Sequence, residues 1–190
     1  MIELKLNRTA LRWDFSFFAV LAVFFLWDST GFGFAALGIC AAHELGHLAV
    51  MRMCGIIPES LTFYGAGIRL TAPAVERRSG AVQAAVYSAG CAVNLLIFAA
   101  GMALGYQRIA AISLAAGLFN LLPVGEFDGK RLLKLLLLKR LPAEHVDRAM
   151  SVCGIISAAI CGAVIFLLRG ASPTFFITAG YLLVLSAREL

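Results

Sequence analysis

An all-α polytopic membrane protein of about six transmembrane helices, with a small β-hairpin-like loop between the second and third, is the fold class the sequence predicts. Three observations lead there. Hydrophobic residues make up 61% of the 190 residues and the mean hydropathy is +0.90, against an apolar share of about 45–50% in soluble domains. The apolar residues gather into runs separated by Gly, Pro and charged residues, several of them near the roughly 17–25 residues of a bilayer crossing. Taken in order, these runs also sort the Lys and Arg residues onto one side.

Lys5, Arg8 and Arg12 precede the first apolar run, 15–27, which is short for a crossing. It also has the look of a signal peptide, but no small-x-small cleavage site follows, and Asp28-Ser29-Thr30-Gly31 reads as a turn. A retained first span is therefore expected. The second span is 32–53. After it, residues 61–70 have strand-like composition around a glycine turn, the expected hairpin-like loop. Residues 80–105 form the third span and 109–122 the fourth, which breaks near Pro123. Residues 129–141, with Lys130, Lys134 and Lys139 among leucines, read as a basic amphipathic helix on the membrane surface. The fifth and sixth spans are 152–168 and 173–187.

With the amino terminus in the cytosol, only Arg108 and Arg169 of the 16 Lys and Arg residues fall on the far side. Cytoplasmic loops carry the excess of basic residues, so both termini are expected in the cytosol of a multi-pass cell-membrane protein. The net charge of +5 then belongs to anionic lipid headgroups, and no nucleic-acid partner is expected. The length suits a single integral membrane domain over 1–190, with no room for a second module. Cys40, Cys54, Cys91, Cys153 and Cys161 are odd in number, lack a CxxC pattern and read as small packing residues.

Inside the second span stands His43-Glu44-Leu45-Gly46-His47. On a helix, imidazoles four residues apart share a face and can bind one Zn2+ ion, with the glutamate beside the water that the metal activates. Such a pair can also be a hydrogen-bonded core feature. Ionisable groups at membrane depth are costly, however, and persist where they pair, line a water-filled cavity or hold an ion. Zinc lowers the pKa of its water from 15.7 toward roughly 7, so Glu44 as base implies hydrolysis of a peptide bond. Taking Arg52 as the cytosolic boundary, His47 lies about 7 Å and His43 about 13 Å inside it, in the cytosolic half of the bilayer. Water must reach that depth through a protein-lined cavity.

A catalytic zinc normally has three protein ligands. No further histidine stands at metzincin spacing, and His145 lies in a polar loop. A carboxylate is needed, and the candidates are Glu59, Glu76, Glu126 and Asp128. The last two follow a break in an apolar span on the same side as the histidines.

His43-Glu44-Leu45-Gly46-His47, taken with Asn120-Leu121-Leu122-Pro123-Val124-Gly125-Glu126-Phe127-Asp128-Gly129, resembles the paired HExxH and NxxPx4DG signature of the site-2 protease family of intramembrane zinc metalloproteases. The resemblance covers residues 32–133. It implies His43, His47 and Asp128 as ligands of one Zn2+ ion, Glu44 as general base, and Asn120 and Pro123 as residues that line the cleft and position substrate. It also implies a membrane protein substrate cleaved in or near a transmembrane segment, such as a membrane-bound transcription-factor precursor or an anti-sigma factor. Ser88-Ala89-Gly90-Cys91-Ala92-Val93-Asn94 is similar to the family's AGPxxN segment, with Cys91 in place of proline. Small residues there also serve close helix packing. Glu126 stands where many relatives have proline, and Lys130 where they have Gly or Ser. The chain resembles the short, sporulation-type core of the family without a regulatory domain.

The expected reaction has a helical substrate unwind, because its carbonyls are tied up in hydrogen bonds to residues one turn away. Extended pairing with the 61–70 hairpin would offset that loss. The competing reading is a membrane metal carrier that uses a His-His-Asp site, which has little need for Glu44 between its ligands.

Overall fold

The computed structural model describes residues 1–6, 9–65 and 67–167. Contacts gather into two compact units, one over Met1–Leu118 and a second that begins at Phe119. The first contains strands β1 (Ile2–Leu6) and β2 (Thr9–Trp13), helices α1 (Phe15–Trp27) and α2 (Phe32–Met53), strands β3 (Ser60–Tyr64) and β4 (Gly67–Thr71), and helix α3 (Gly80–Ala103). Helix α4 (Gln107–Asn120) ends at the start of the second unit, which holds α5 (Asp128–Leu137) and α6 (Ala143–Leu167).

The chain is mostly helical, but the all-α expectation gives way at the amino terminus. Ile2-Glu3-Leu4-Lys5-Leu6 alternates apolar and polar side chains, the period of a strand, and it pairs antiparallel with β2. The basic residues Lys5 and Arg12 therefore sit in strands, where they were expected as a flank to the first span. β2 pairs in parallel with β3, and β3 pairs antiparallel with β4, so the sheet order is β1-β2-β3-β4. A parallel pair needs a long crossover, and the α1–α2 helical hairpin supplies it. The hairpin expected over 61–70 is β3 and β4, widened into a four-stranded sheet.

Side chains at the register positions hold this sheet together. Trp13 opposes Phe63, and their rings stack with centroids 5.6 Å apart and planes within 7°. Phe17, in the first turn of α1, lies 5.5 Å from the same Phe63 ring. Asp14 caps α1 by accepting from the Ser16 amide at 2.9 Å. The Ser16 hydroxyl in turn accepts from the Gly65 amide at 3.0 Å, which ties the hairpin tip to the start of α1. At the other end of α1, Asp28 accepts from the Thr30 hydroxyl at 2.8 Å and the Gly33 amide at 2.6 Å. The Thr30 hydroxyl and the turn amides hold the Asp28 carboxyl below its ordinary value.

Helices α2, with 22 residues, and α3, with 24, are long and apolar enough to cross a membrane, and they are the two among the described residues that are. α1 has 13 residues and α4 has 14, lengths of about 20 Å against a hydrocarbon core of roughly 30 Å. The expected fourth span, 109–122, appears as a helix of the same length two residues earlier, which stops at Asn120. Residues 152–167 of the expected fifth span fall within α6, which begins earlier, at Ala143. The expected sixth, 173–187, lies outside the described residues. Polarity across α2 and α3 is inverted relative to a soluble helix. Leu45, Leu95 and Leu96 are exposed, whereas His43, His47 and Asn94 are buried.

In the second unit the chain reverses between α4 and α5. Pro123 has no amide hydrogen to extend α4, and Gly125 takes a left-handed backbone with φ of 56°. The Phe127 amide donates to the Val124 carbonyl at 3.2 Å, and the Phe119 and Phe127 rings close the reversal with centroids 4.9 Å apart. The reversal brings Gly129 against the main-chain carbonyl of Leu121, in a space that any Cβ would fill. α5 opens on Asp128, and Lys134 on it pairs with Asp147 of α6 at 3.3 Å.

Candidate metal centre

Helix periodicity places Ile39, His43, Gly46, His47 and Met51 on the buried face of α2. The facing stripe of α3 is Val86, Ala89, Gly90 and Asn94. The two helices approach closely because the residues between them are small. A Cβ at Gly46 would strike the Val93 side chain and the Ala89 carbonyl, and one at Gly90 would strike the rings of both His43 and His47. The imidazoles thus lie directly over the bare backbone of Gly90.

The two rings stand with centroids 4.8 Å apart and planes at 76°, and their Nε2 atoms are 3.1 Å apart. Both side chains are buried. His47 Nδ1 lies 2.7 Å from the main-chain oxygen of Val86. A carbonyl only accepts, so this nitrogen carries the hydrogen, and the lone pair of His47 is on Nε2. His43 Nδ1 lies 3.2 Å from the side-chain amide of Asn94. Asn94 is 1% exposed, and its main-chain oxygen accepts from the buried Ser113 hydroxyl at 2.8 Å. A carboxylate oxygen of Glu44 lies within 4.8 Å of the ligand nitrogens of both histidines.

These residues fit a zinc ion on grounds of donor chemistry and space. Two ligand nitrogens around a tetrahedral zinc stand about 3.3 Å apart, close to the 3.1 Å found here. The opposite ring nitrogens are held by a carbonyl and a carboxamide, the outer partners that orient metal-binding imidazoles. The cradle they face is one that a Cβ at Gly90 would fill.

Of the residues singled out in the sequence, the structure brings together His43, Glu44 and His47. Asn120, Pro123 and Asp128 stand in the second unit, as the last residue of α4, a residue of the reversal and the first residue of α5. The candidate carboxylates differ in burial: Glu59, Glu76 and Glu126 are exposed and Asp128 is buried. His145 is exposed, as its polar surroundings suggested. Asn94 was placed by the sequence in the small-residue segment of the third span, with no link to the histidines. Its signal was a lone carboxamide in a run of apolar residues.

Among solved structures, the chain is similar to a site-2 protease from Methanocaldococcus jannaschii, with a TM-score of 0.69 and 17% sequence identity over 99% of this chain and 94% of that one. No protein-family model and no curated protein matches the sequence. The chain has a site-2 protease-like fold.

Proposed function

We propose that this chain, with its site-2 protease-like fold, is an intramembrane zinc metalloprotease that hydrolyses a peptide bond in or near a transmembrane segment of a membrane protein. The observation that carries the reading is the buried pair of Nε2 atoms 3.1 Å apart, with Glu44 beside them, on a helix of lipid-crossing length. His43 and His47 would hold the metal, and Asp128 would complete the protein ligands. The choice of Asp128 is supported by the NxxPx4DG pattern and by its being the buried member of the four candidate carboxylates. When bound, zinc would supply Lewis acidity, polarising the scissile carbonyl and acidifying water.

The remaining steps belong to the chain's own groups. Glu44 accepts a proton from the attacking water and returns it to the departing amine, so one carboxyl serves as base and then as acid. The Val86 carbonyl fixes the ring of His47 by accepting from Nδ1. β4 is an edge strand of the sheet, and an unwound substrate segment added there would replace the hydrogen bonds lost from its helix. Asn120 and Pro123 are assigned to the substrate cleft on the motif they share with Asp128. The basic residues flanking the apolar runs support a cell-membrane protein with both termini in the cytosol and the site in the cytosolic half of the bilayer.

Glu44→Gln removes the base and keeps both imidazoles, so the purified variant is expected to lose proteolysis of a reconstituted membrane substrate while retaining zinc. Cleavage at the wild-type rate by that variant defeats the mechanism. A metal carrier, in contrast, would keep transporting after the change. For the third ligand, Asp128→Ala is expected to lower zinc content sharply and Glu126→Gln to leave it near wild type. The reverse order, in metal analysis of the two variants, would move the ligand to Glu126 without touching the histidine pair.

A further inference from the structure

Among the described residues, β1 and β4 are the two edges of the sheet, and the sheet has two unlike faces. The register lines up Ile2 with Trp13 and Phe63 on one face, and Leu4 with Leu11 and Leu61. Glu3 and Lys5 turn to the other face, where Arg12 stands opposite Glu3. Phe17 of α1 packs against the apolar face at Phe63. β1 lies beyond that cover, with Ile2, Leu4 and Leu6 60%, 52% and 55% exposed. An edge strand offers a row of main-chain donors and acceptors to any further strand, and edges are commonly blunted by a proline, a bulge or charge. β1 has no proline and pairs with β2 residue for residue, without a bulge. Its two charges are of opposite sign.

Those opposite signs make β1 complementary to itself. Laid antiparallel against a second β1 about a two-fold axis at Leu4, Glu3 meets Lys5 of the other copy, Lys5 meets Glu3, and Ile2 meets Leu6. A slip of one residue sets charged side chains against leucine and isoleucine, and a slip of two sets like charges opposite each other. One register therefore satisfies both faces. Glu3 already accepts from Arg12 at 3.1 Å, whereas Lys5 has no ion-pair partner among the described residues. We propose that β1 is a self-association edge: two copies join β1 to β1 antiparallel about Leu4, making one continuous sheet with a β4 strand at each end. The contact is isologous, the same surface serving on both copies. Its two-fold axis stands perpendicular to the sheet, so both apolar faces stay on one side. Two copies in one membrane meet that condition when the sheet runs along the bilayer surface. The β4 edge of each copy lies outside the contact, so the pairing goes beyond the protease reading and stands without it.

The test uses the full-length chain in dilute phosphatidylcholine vesicles, oxidised with copper phenanthroline and read as dimer on non-reducing gels, with wild type as the background from its own cysteines. Cα atoms directly opposite in an antiparallel pair lie about 4.5–5.5 Å apart, within disulfide reach. Leu4→Cys is therefore expected to cross-link about 10-fold faster than wild type or more. Ile2→Cys stands roughly 14 Å from its twin, at about 3.4 Å per residue. It should stay at background alone and cross-link when mixed with Leu6→Cys. In the Leu4→Cys chain, Lys5→Glu and Glu3→Lys each turn both cross-copy pairs into like charges, so each alone is expected to lower cross-linking roughly 10-fold or more. Reconstituted together, the two variants set opposite charges face to face and should recover it, which also shows that both are folded. Sedimentation equilibrium in detergent with Leu4 intact should show association of wild type and its loss in Lys5→Glu. Equal cross-linking by single cysteines at positions 2, 4 and 6 overturns the pairing, and so do charge variants that fail alone and stay apart when mixed. A monomeric wild type, with the Leu4→Cys thiol shielded from a water-soluble maleimide in vesicles, overturns it as well and assigns β1 to lipid.

Discussion

Between α2 and α3 the contacting residues are Gly46, Ala89 and Gly90, and the side chains they enclose are the polar His43, His47 and Asn94. In the four-stranded sheet the main chain makes the bonds, β1 is exposed along its whole length, and the lateral contacts include an aromatic stack, an ion pair and the Arg69 guanidinium over the Tyr64 ring. The helix pair has no slack, because a methyl group added at Gly90 meets both ring nitrogens at once. The sheet has slack nearly everywhere, since its hydrogen bonds do not depend on which side chain each strand carries. The difference locates chemistry and tolerance. The candidate metal centre is built where small residues let helices approach, and the sheet is built where backbone groups suffice.

Three substitutions probe that contrast, beginning with the severest. Gly90→Ala puts a methyl group against both imidazoles, so zinc affinity is expected to fall by more than the roughly 10–100-fold typical of losing an outer-shell partner. Metal analysis of the purified variant checks this, and full occupancy would mean that the helix contact is looser than its geometry indicates. Trp13→Ala removes the stack on Phe63 and is expected to lower stability by about 2 kcal/mol. Thermal unfolding in detergent reads the loss, and zinc content should stay that of wild type. Zinc loss in this variant would show that sheet and metal centre are coupled, against the contrast drawn above. The smallest effect belongs to Arg12→Ala. Its pairing with Glu3 at 3.1 Å is between side chains 41% and 31% exposed, and exposed pairs contribute about 0.2–1 kcal/mol, less in salt. A change well beyond that range would assign Arg12 a role outside the sheet.

Helix positions were legible where the signal is local. Phe15–Trp27 and Phe32–Met53 appear with the bounds their apolar runs suggested, because a run of apolar residues between a turn and a charge states its own limits. The histidine pair was legible for the same reason, since a spacing of four puts two side chains on one helix face whatever surrounds them. β1 and β2 are harder to read from sequence, although Ile2-Glu3-Leu4-Lys5-Leu6 alternates plainly, because Lys5 and Arg12 also suit a basic flank to the first apolar run. β2 finds its partner across the two helices that follow it, with Trp13 opposite Phe63, and nothing local announces a pairing at that distance. The break near Pro123 was legible too, and α4 ends at Asn120, three residues before it.

By itself the sequence determined the membrane-like composition, the two long apolar helices and the local geometry of His43, Glu44 and His47, all consequences of hydropathy and of a 3.6-residue period. Tertiary structure decided what the histidines touch. Val86 and Asn94 reach His47 and His43 from α3, 39 and 51 residues further along the chain, and Gly90 matters only because two rings rest on it. Which nitrogen of an imidazole bears its hydrogen depends on the group opposite, donor or acceptor, and that group is chosen by how two helices pack rather than by the residues beside it in sequence.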